Sequence, residues 1–281
     1  AMRRRECSCC LSAGQGDGAM SGVPLYDAFS EDYDRFVNWP ARLSFEMPFF
    51  RALFREHNAR RILDVACGTG QHAIAFAREG FEVTATDLSL AMIERARANA
   101  AHAGVNPRFA QLGFGELAGS LQDTYDVVTC LGNSLPHLLS ETALKAALED
   151  MRAILSTRGI LVLQNRNFDR VLARRERFMS PEVHSEGDRE WVFLRFYDFK
   201  GQFLRFNVVR LYRQGDGQWT SRVAATDLRG WQHETLRDLM SSSGLKVTHV
   251  YGSYRGEAYD PSESGDLVLI AERSSRNYRF S

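Results

Sequence analysis

Residues 61–70 read RILDVACGTG, a short apolar run that breaks into a turn carrying Gly68 and Gly70. A run of that length suits a buried strand. The two glycines suit a tight turn into a helix, because they tolerate backbone angles closed to other residues. The pattern continues toward the C-terminus. A helical stretch at 71–79 leads to a second strand at 81–86, and a helix at 89–103 follows it. Further short β runs at 107–112, 126–131 and 159–164 are separated by helical segments. Alternation of this kind predicts a mostly parallel sheet with helices on both faces and right-handed crossovers.

After residue 164 the texture changes. Segments 190–199, 202–213 and 218–228 read as three strands joined at Lys200-Gly201 and Gly215-Asp216-Gly217, an antiparallel ribbon inserted into the α/β domain. A helix at 232–242 and strands at 246–251 and 267–271 return to the parent sheet and bring it to seven strands. Upstream, 26–36 (YDAFSEDYDRF) spaces its aromatics helically, and 40–57 repeats the pattern with Leu43, Phe45, Phe49, Phe50, Leu53 and Phe54. This predicts a helix pair capping the sheet. Residues 1–23, rich in Gly, Ser and Ala, read as a flexible leader. Within it Ala1-Met2 reads as a tag remnant and Met20 as a candidate start. The expected organisation is therefore a leader (1–23), an α/β domain with an N-terminal helical lid (24–170), a β insertion forming a substrate cap (171–230), and a return to the α/β domain (231–281).

Composition narrows the functional classes. The chain is 44% hydrophobic and 25% charged, as expected of a globular protein with a substantial core. Its formal net charge is zero, so no overall field recruits nucleic acid, and Arg3-Arg4-Arg5 and Arg174-Arg175 read as solvated surface. No apolar run approaches the roughly 18 residues a membrane span needs, and no apolar segment follows the N-terminal arginines as a secretory signal requires. A cytoplasmic protein is expected. Cys7, Cys9 and Cys10 lack a second Cys/His cluster to complete a metal site, and no metal is expected. Cys67 and Cys130, at the ends of strands, read as small apolar residues rather than nucleophiles.

Gly68, Gly70 and Ala73 also satisfy G-x-G-x-x-[GA], with Asp87 about twenty residues on, which is the pattern of a dinucleotide fold. Asp64 discriminates. It ends the strand just before the turn, where a pyrophosphate would rest on the helix N-terminus, and a carboxylate there repels phosphates. The same carboxylate attracts the ammonium of a methionine moiety. Asp87 closes the second strand (TATD, 84–87), placed to accept hydrogen bonds from both hydroxyls of a ribose. A cofactor zwitterionic at one end and carrying a ribose at the other is S-adenosyl-L-methionine, with S-adenosyl-L-homocysteine as product.

LDVACGTG followed by an acidic end to the second strand resembles the class I S-adenosylmethionine-dependent methyltransferases, and the likeness extends over most of 25–281. It implies the doubly wound, Rossmann-like α/β fold. It also implies a cofactor site drawn from Asp64, Ala66, Cys67, Gly68 and Gly70, from Asp87, Leu88 and Met92, and from Phe114, Gly115 and Leu131 in the loops after the third and fourth strands. CLGNSLPHL (130–138) and QNRNFD (164–169) resemble two motifs of the glycine N-methyltransferase and glycine/sarcosine N-methyltransferase group. By that resemblance Asn133 and Arg166 hold an amino acid carboxylate, and His137 approaches the sulfonium side of the cofactor. Lid residues Tyr26, Tyr33 and Arg42 align loosely with cofactor contacts. An arginine fork suits a carboxylate, and both loops leave the C-terminal edge of the sheet. Where the group's glycine enzymes carry a tyrosine pair, residues 176–179 read ERFM, so a phenol hydroxyl is expected to be missing. Trp191, Phe193, Phe196 and Tyr197 are then candidates to wall a larger acceptor pocket.

The expected reaction is methyl transfer to the amine of a glycine- or sarcosine-like amino acid, with His137 as the one histidine placed to help as a base. The alternatives are another small acceptor (a larger amine, a phenol or a thiol) and a non-catalytic or NAD-dependent Rossmann-like protein. The loop LGNS (131–134) departs from the N-P-P-aromatic loop of many enzymes that methylate base amino groups.

Overall fold

The structure, a computed structural model, describes residues 32–274. The leader 1–23, Cys7, Cys9, Cys10, Tyr26 and most of the first expected helix lie outside them. The described chain opens with α1 (Tyr33–Phe36) and α2 (Trp39–Glu56). Asn38 caps α2 by accepting from the Ala41 amide, and Pro40 sits in the first turn, where a missing N–H breaks no bond. The expected alternation follows as β1 (Arg61–Val65), α3 (Gln71–Arg78), β2 (Glu82–Asp87), α4 (Leu90–Ala103), β3 (Arg108–Gln111), α5 (Leu117–Ser120), β4 (Tyr125–Cys130), α6 (Glu141–Ala153) and β5 (Leu155–Arg166). Beyond α7 (Phe168–Arg174) come β6 (Glu182–Glu186), β7 (Arg189–Lys200), β8 (Phe203–Gln214) and β9 (Thr220–Arg229). The chain then closes with α8 (His233–Ser242), β10 (Leu245–Tyr251) and β11 (Asp266–Arg273).

Seven strands form one sheet in the order β10-β11-β5-β4-β1-β2-β3, and β11 is antiparallel to both its neighbours. Alternate residues of each strand feed two cores. Leu63, Val128, Leu161 and Leu269 pack against Leu144, Leu148 and Leu236 of α6 and α8. Ile62, Val127, Val162 and Ile270 pack against Phe50, Phe54 and Phe76 of α2 and α3. Strand order reverses beside β1, between β2 and β4, which is where open α/β sheets leave a crevice at their carboxyl ends.

The insertion is a separate antiparallel sheet in the order β6-β7-β8-β9, with four strands rather than the three expected. The strand missing from the sequence reading, β6, is EVHSE. It is mostly polar and paired only to β7, so it carries no apolar alternation to reveal it. Phe168 and Val171 of α7 join this sheet by packing with Tyr197, Leu204 and Leu228. Among the described residues no helix is long and apolar enough to cross a membrane.

Candidate active site

The turn after β1 departs from ordinary backbone at three positions: Ala66 (φ 56°), Gly68 (φ 55°) and Gly70 (φ 77°). Asp87 holds it. Its Oδ2 accepts the Gly68 amide at 2.8 Å and its Oδ1 the Ser89 amide at 2.9 Å, so one carboxylate braces the turns after β1 and β2. Ser89 in turn caps α4 by accepting from the Met92 amide. Gly70 is required twice over, since a Cβ there would lie 2.9 Å from Ala96 Cβ and 3.0 Å from the Phe109 ring. Gly70→Ala is expected to lower stability by about 2–4 kcal/mol, from left-handed strain plus overpacking, read as the shift in a denaturant midpoint. A midpoint within experimental error of wild type would place the close packing elsewhere.

Above this turn lies a cavity of about 300 Å³, and Asp64 stands at its base. Asp64 is 2% exposed. Its Oδ1 accepts from Thr129 Oγ1 at 2.8 Å, whereas its buried Oδ2 has no hydrogen-bond partner among the described residues. Burial pushes its carboxyl up to about 6, against the opposing pull of His72 and the Thr129 hydroxyl. Leu88, Met92, Leu112 and Phe114 give the cavity an apolar slot. Of the residues expected at the cofactor site, Tyr33, Arg42, Ala66, Cys67, Gly68, Asp87, Leu131 and His137 line it as well. Gly70 and Gly115 do not. Gly70 turns its back to α4, and Gly115 (φ 88°) lies past Phe114 with open space beside it.

Trp39, Glu46 and His72 went unread in the sequence, because they are remote in the chain and carry no local motif. Glu46 is 5% exposed, accepts from Arg42 Nε at 2.8 Å and meets His72 Nε2 at 2.6 Å. Burial alone would raise its carboxyl, but the bond and charge of His72, followed by Arg42, hold it below the usual range. The Arg42 guanidinium is thereby fixed 5.1 Å from the Trp39 ring, at the wall of the cavity.

A second cavity, of about 350 Å³, adjoins the first and shares Tyr33, Arg42, Gly132 and His137 with it. Asn133 and Arg166 both line it, as the sequence implied. Asn133 sits at φ 69°, and its Oδ1 accepts the Arg166 backbone amide at 3.0 Å, which ties the turn after β4 to the last residue of β5. Arg166 Nε is buried and has no hydrogen-bond partner among the described residues. Gln164 joins the two loops from below, accepting from the Gly132 amide at 2.8 Å and donating to Asp266 Oδ1 at 2.9 Å. Arg195, Tyr254 and Asp266 complete the lining and were not singled out in the sequence. They reach the cavity from β7, from the loop after β10 and from the start of β11.

The aromatic expectations need correction. Of the four insertion aromatics only Tyr197 lines the second cavity. Trp191 and Phe193 are buried, the latter against Phe36, and Phe196 packs at a tilt against Phe178, which is 71% exposed. The period of two in β7 sends 191, 193 and 197 to one face, but only Tyr197 stands above the cavity. Besides Tyr33, the phenols of Tyr197 and Tyr254 line this cavity, from β7 and from the loop after β10 rather than from segment 176–179. Burial raises both. It lowers the His137 imidazole to about 4, so that ring is neutral at neutral pH. The Cys67 thiol is pushed well up by burial and the nearby Asp87 and Asp64 carboxylates, and Cys130 rises chiefly by burial; both stay protonated.

A buried carboxylate with an acceptor unmet among the described residues, a second carboxylate lining the same cavity and an apolar slot fit an ammonium, a ribose and a purine. They do not fit a pyrophosphate, which removes the NAD reading. Known proteins agree. The methyltransferase domain family matches residues 62–159. The glycine/sarcosine N-methyltransferase of Aphanothece halophytica is 38% identical over 248 residues, spanning 88% of this chain and 89% of its own. That of Parasynechococcus marenigrum (strain WH8102) is 42% identical over 144 residues, 51% of each chain. Among solved structures, an S-adenosylmethionine-dependent methyltransferase from Clostridium acetobutylicum ATCC 824 superposes with a TM-score of 0.73 over 89% of this chain and 100% of its own, at 16% identity. The chain belongs to the class I S-adenosylmethionine-dependent methyltransferases, in the family of the glycine/sarcosine N-methyltransferases.

Proposed function

We propose that the enzyme methylates the amine of a small amino acid of the glycine or sarcosine type, in the cytoplasm. One observation carries this reading: a half-buried arginine, Arg166, whose buried Nε has no hydrogen-bond partner among the described residues, stands beside Asn133 in a cavity that adjoins the cofactor cavity. When bound, S-adenosylmethionine supplies a methyl group already activated on a sulfonium. Asp64 Oδ2 takes its ammonium and Asp87 its ribose, while Phe114 and the apolar slot receive its purine. The protein's own work is placement, an effect worth up to roughly 7–11 kcal/mol. Arg166 holds the acceptor carboxylate. Asn133 spends its carbonyl on the Arg166 amide, which leaves its carboxamide NH₂ to donate. Tyr197 and Tyr254 supply hydroxyls toward the amine. His137, neutral at neutral pH, orients the acceptor and does not hold its proton, because a base near 4 is too weak for an ammonium. The amine therefore gives up its proton to water, and turnover rises on the alkaline side. The sheet of β6 to β9 acts as the cap of the acceptor cavity.

Cavity size favours a second reading. About 350 Å³, lined also by Arg195, exceeds what glycine's five heavy atoms fill, so a larger amine fits the same clamp. Release of S-adenosylhomocysteine, measured with glycine, sarcosine, dimethylglycine and larger amino acids, separates the two. Turnover with the small amino acids supports the first. Turnover with larger ones alone supports the second, and none across the panel removes the carboxylate clamp.

A further inference from the structure

Helix α1 sits across the junction of the two cavities, and the carboxylates of Asp34 within it and of its N-cap Asp32 reach in opposite directions. Asp34 faces the cofactor side. Its Oδ1 accepts from Thr69 Oγ1 at 2.6 Å and Gln71 Nε2 at 3.2 Å, and its Oδ2 from Asn99 Nδ2 at 3.0 Å and Arg95 Nε at 3.3 Å. Four donors from the glycine turn, α3 and α4 thus converge on one side chain that is 17% exposed. Asn99 also donates to the Thr69 carbonyl at 3.1 Å, so the socket is braced without the lid. Asp32 faces the other way and pairs with Arg210 of β8 at 2.5 Å. Between them Tyr33 lies against Gly68 and lines both cavities.

We propose that Asp34 is a positioning residue, a latch that holds α1 down on the glycine turn and so keeps Tyr33 over the bound cofactor. The chain geometry carries this coupling. Residues 33 and 34 are adjacent, so the α1 backbone that bears Tyr33 cannot lift off the glycine turn while Asp34 keeps its four bonds. A cofactor lying on Gly68 departs only after those bonds break, and its exit rate is set by the latch. Because Tyr33 also walls the acceptor cavity, the same opening disassembles the acceptor site. This inference rests on the reading of the Asp64–Asp87 cavity as the cofactor site. It adds a residue that touches neither substrate.

The test is the dissociation rate of S-adenosylhomocysteine, followed by stopped-flow tryptophan fluorescence, since Trp39 lines the cofactor cavity. Asp34→Ala is expected to speed dissociation by about tenfold or more, as several charge-assisted bonds are lost. The acceptor KM at saturating cofactor should rise with it. Should Asp34→Ala melt far below wild type, the double variant Gln71→Ala/Arg95→Ala removes two of the four donors from the surface side. It is expected to speed dissociation by about threefold. Dissociation within twofold of wild type in a variant that melts normally overturns the latch and leaves the cofactor site standing. Failure of the wild-type protein to bind S-adenosylhomocysteine overturns the cofactor reading, and the latch with it.

Discussion

Arg166→Ala is expected to lower kcat/KM for an amino acid acceptor by about 100-fold, mostly through KM, with the cofactor Kd within twofold of wild type. Removing the guanidinium deletes a charge-assisted bond to a carboxylate inside a largely buried cavity, worth about 3 kcal/mol. The loss falls on binding rather than on chemistry because a carboxylate is equally charged in the ground and transition states. The turn should survive, since Asn133 accepts from the backbone amide of Arg166 and not from its side chain. Arg166→Lys restores charge without the fork and should recover only part of the loss. Steady-state kinetics with glycine and sarcosine, alongside calorimetric titration of S-adenosylhomocysteine, check this. A kcat/KM within threefold of wild type would take Arg166 out of the acceptor site.

The second large effect belongs to Asp64, and it carries opposite signs for binding and stability. Burial raises its carboxyl from 3.8 to about 6, so in the free protein ionisation works against the fold. The sign follows from linkage. A group whose folded value is raised contributes its full relative stability below the unfolded value near 3.8 and loses it as pH climbs through about 6. Above that pH the charged Asp64 destabilises the free protein by on the order of 2–3 kcal/mol. Asp64→Asn keeps an oxygen for the Thr129 hydroxyl and removes the charge. It should therefore raise the melting temperature of the free protein by several degrees at pH 8 and hardly at all at pH 4. Cofactor affinity should move the other way, falling about 100-fold as the ammonium loses its buried partner. In the wild type the same logic weakens cofactor binding as pH drops through about 6. Thermal melts and titrations at the two pH values decide it. A variant with unchanged cofactor affinity would mean that the orphan Oδ2 faces something other than an ammonium.

The places of Asp64 and Asp87 were legible from the sequence because they are set locally. Asp64 lies one residue from the end of β1 and Asp87 ends β2, each beside a tight turn whose backbone the glycines permit. Asn133 and Arg166 were legible through their motifs. Their union could not be read from spacing, because 33 residues and a helix separate them, and only the pairing of β4 with β5 brings them together. The insertion aromatics misled for the converse reason. Trp191, Phe193 and Phe196 stand in the expected segment, yet strand packing buries the first two away from the cavity and sets the third beside the exposed Phe178.

The sequence alone determined the α/β alternation, the seven-stranded sheet and the glycine turn after β1. These follow from residue periodicity and from backbone demands within a few positions. Only the tertiary structure decided the second cavity and the docking of α1. Arg195, Tyr197, Tyr254 and Asp266 meet there from strands and loops far apart in the chain. The four donors around Asp34 lie 35 to 65 residues away from it. Such sites depend on how two sheets and a strap helix pack. No local pattern encodes packing between elements, so the chemistry of the cofactor could be read in advance and the shape of the second cavity could not.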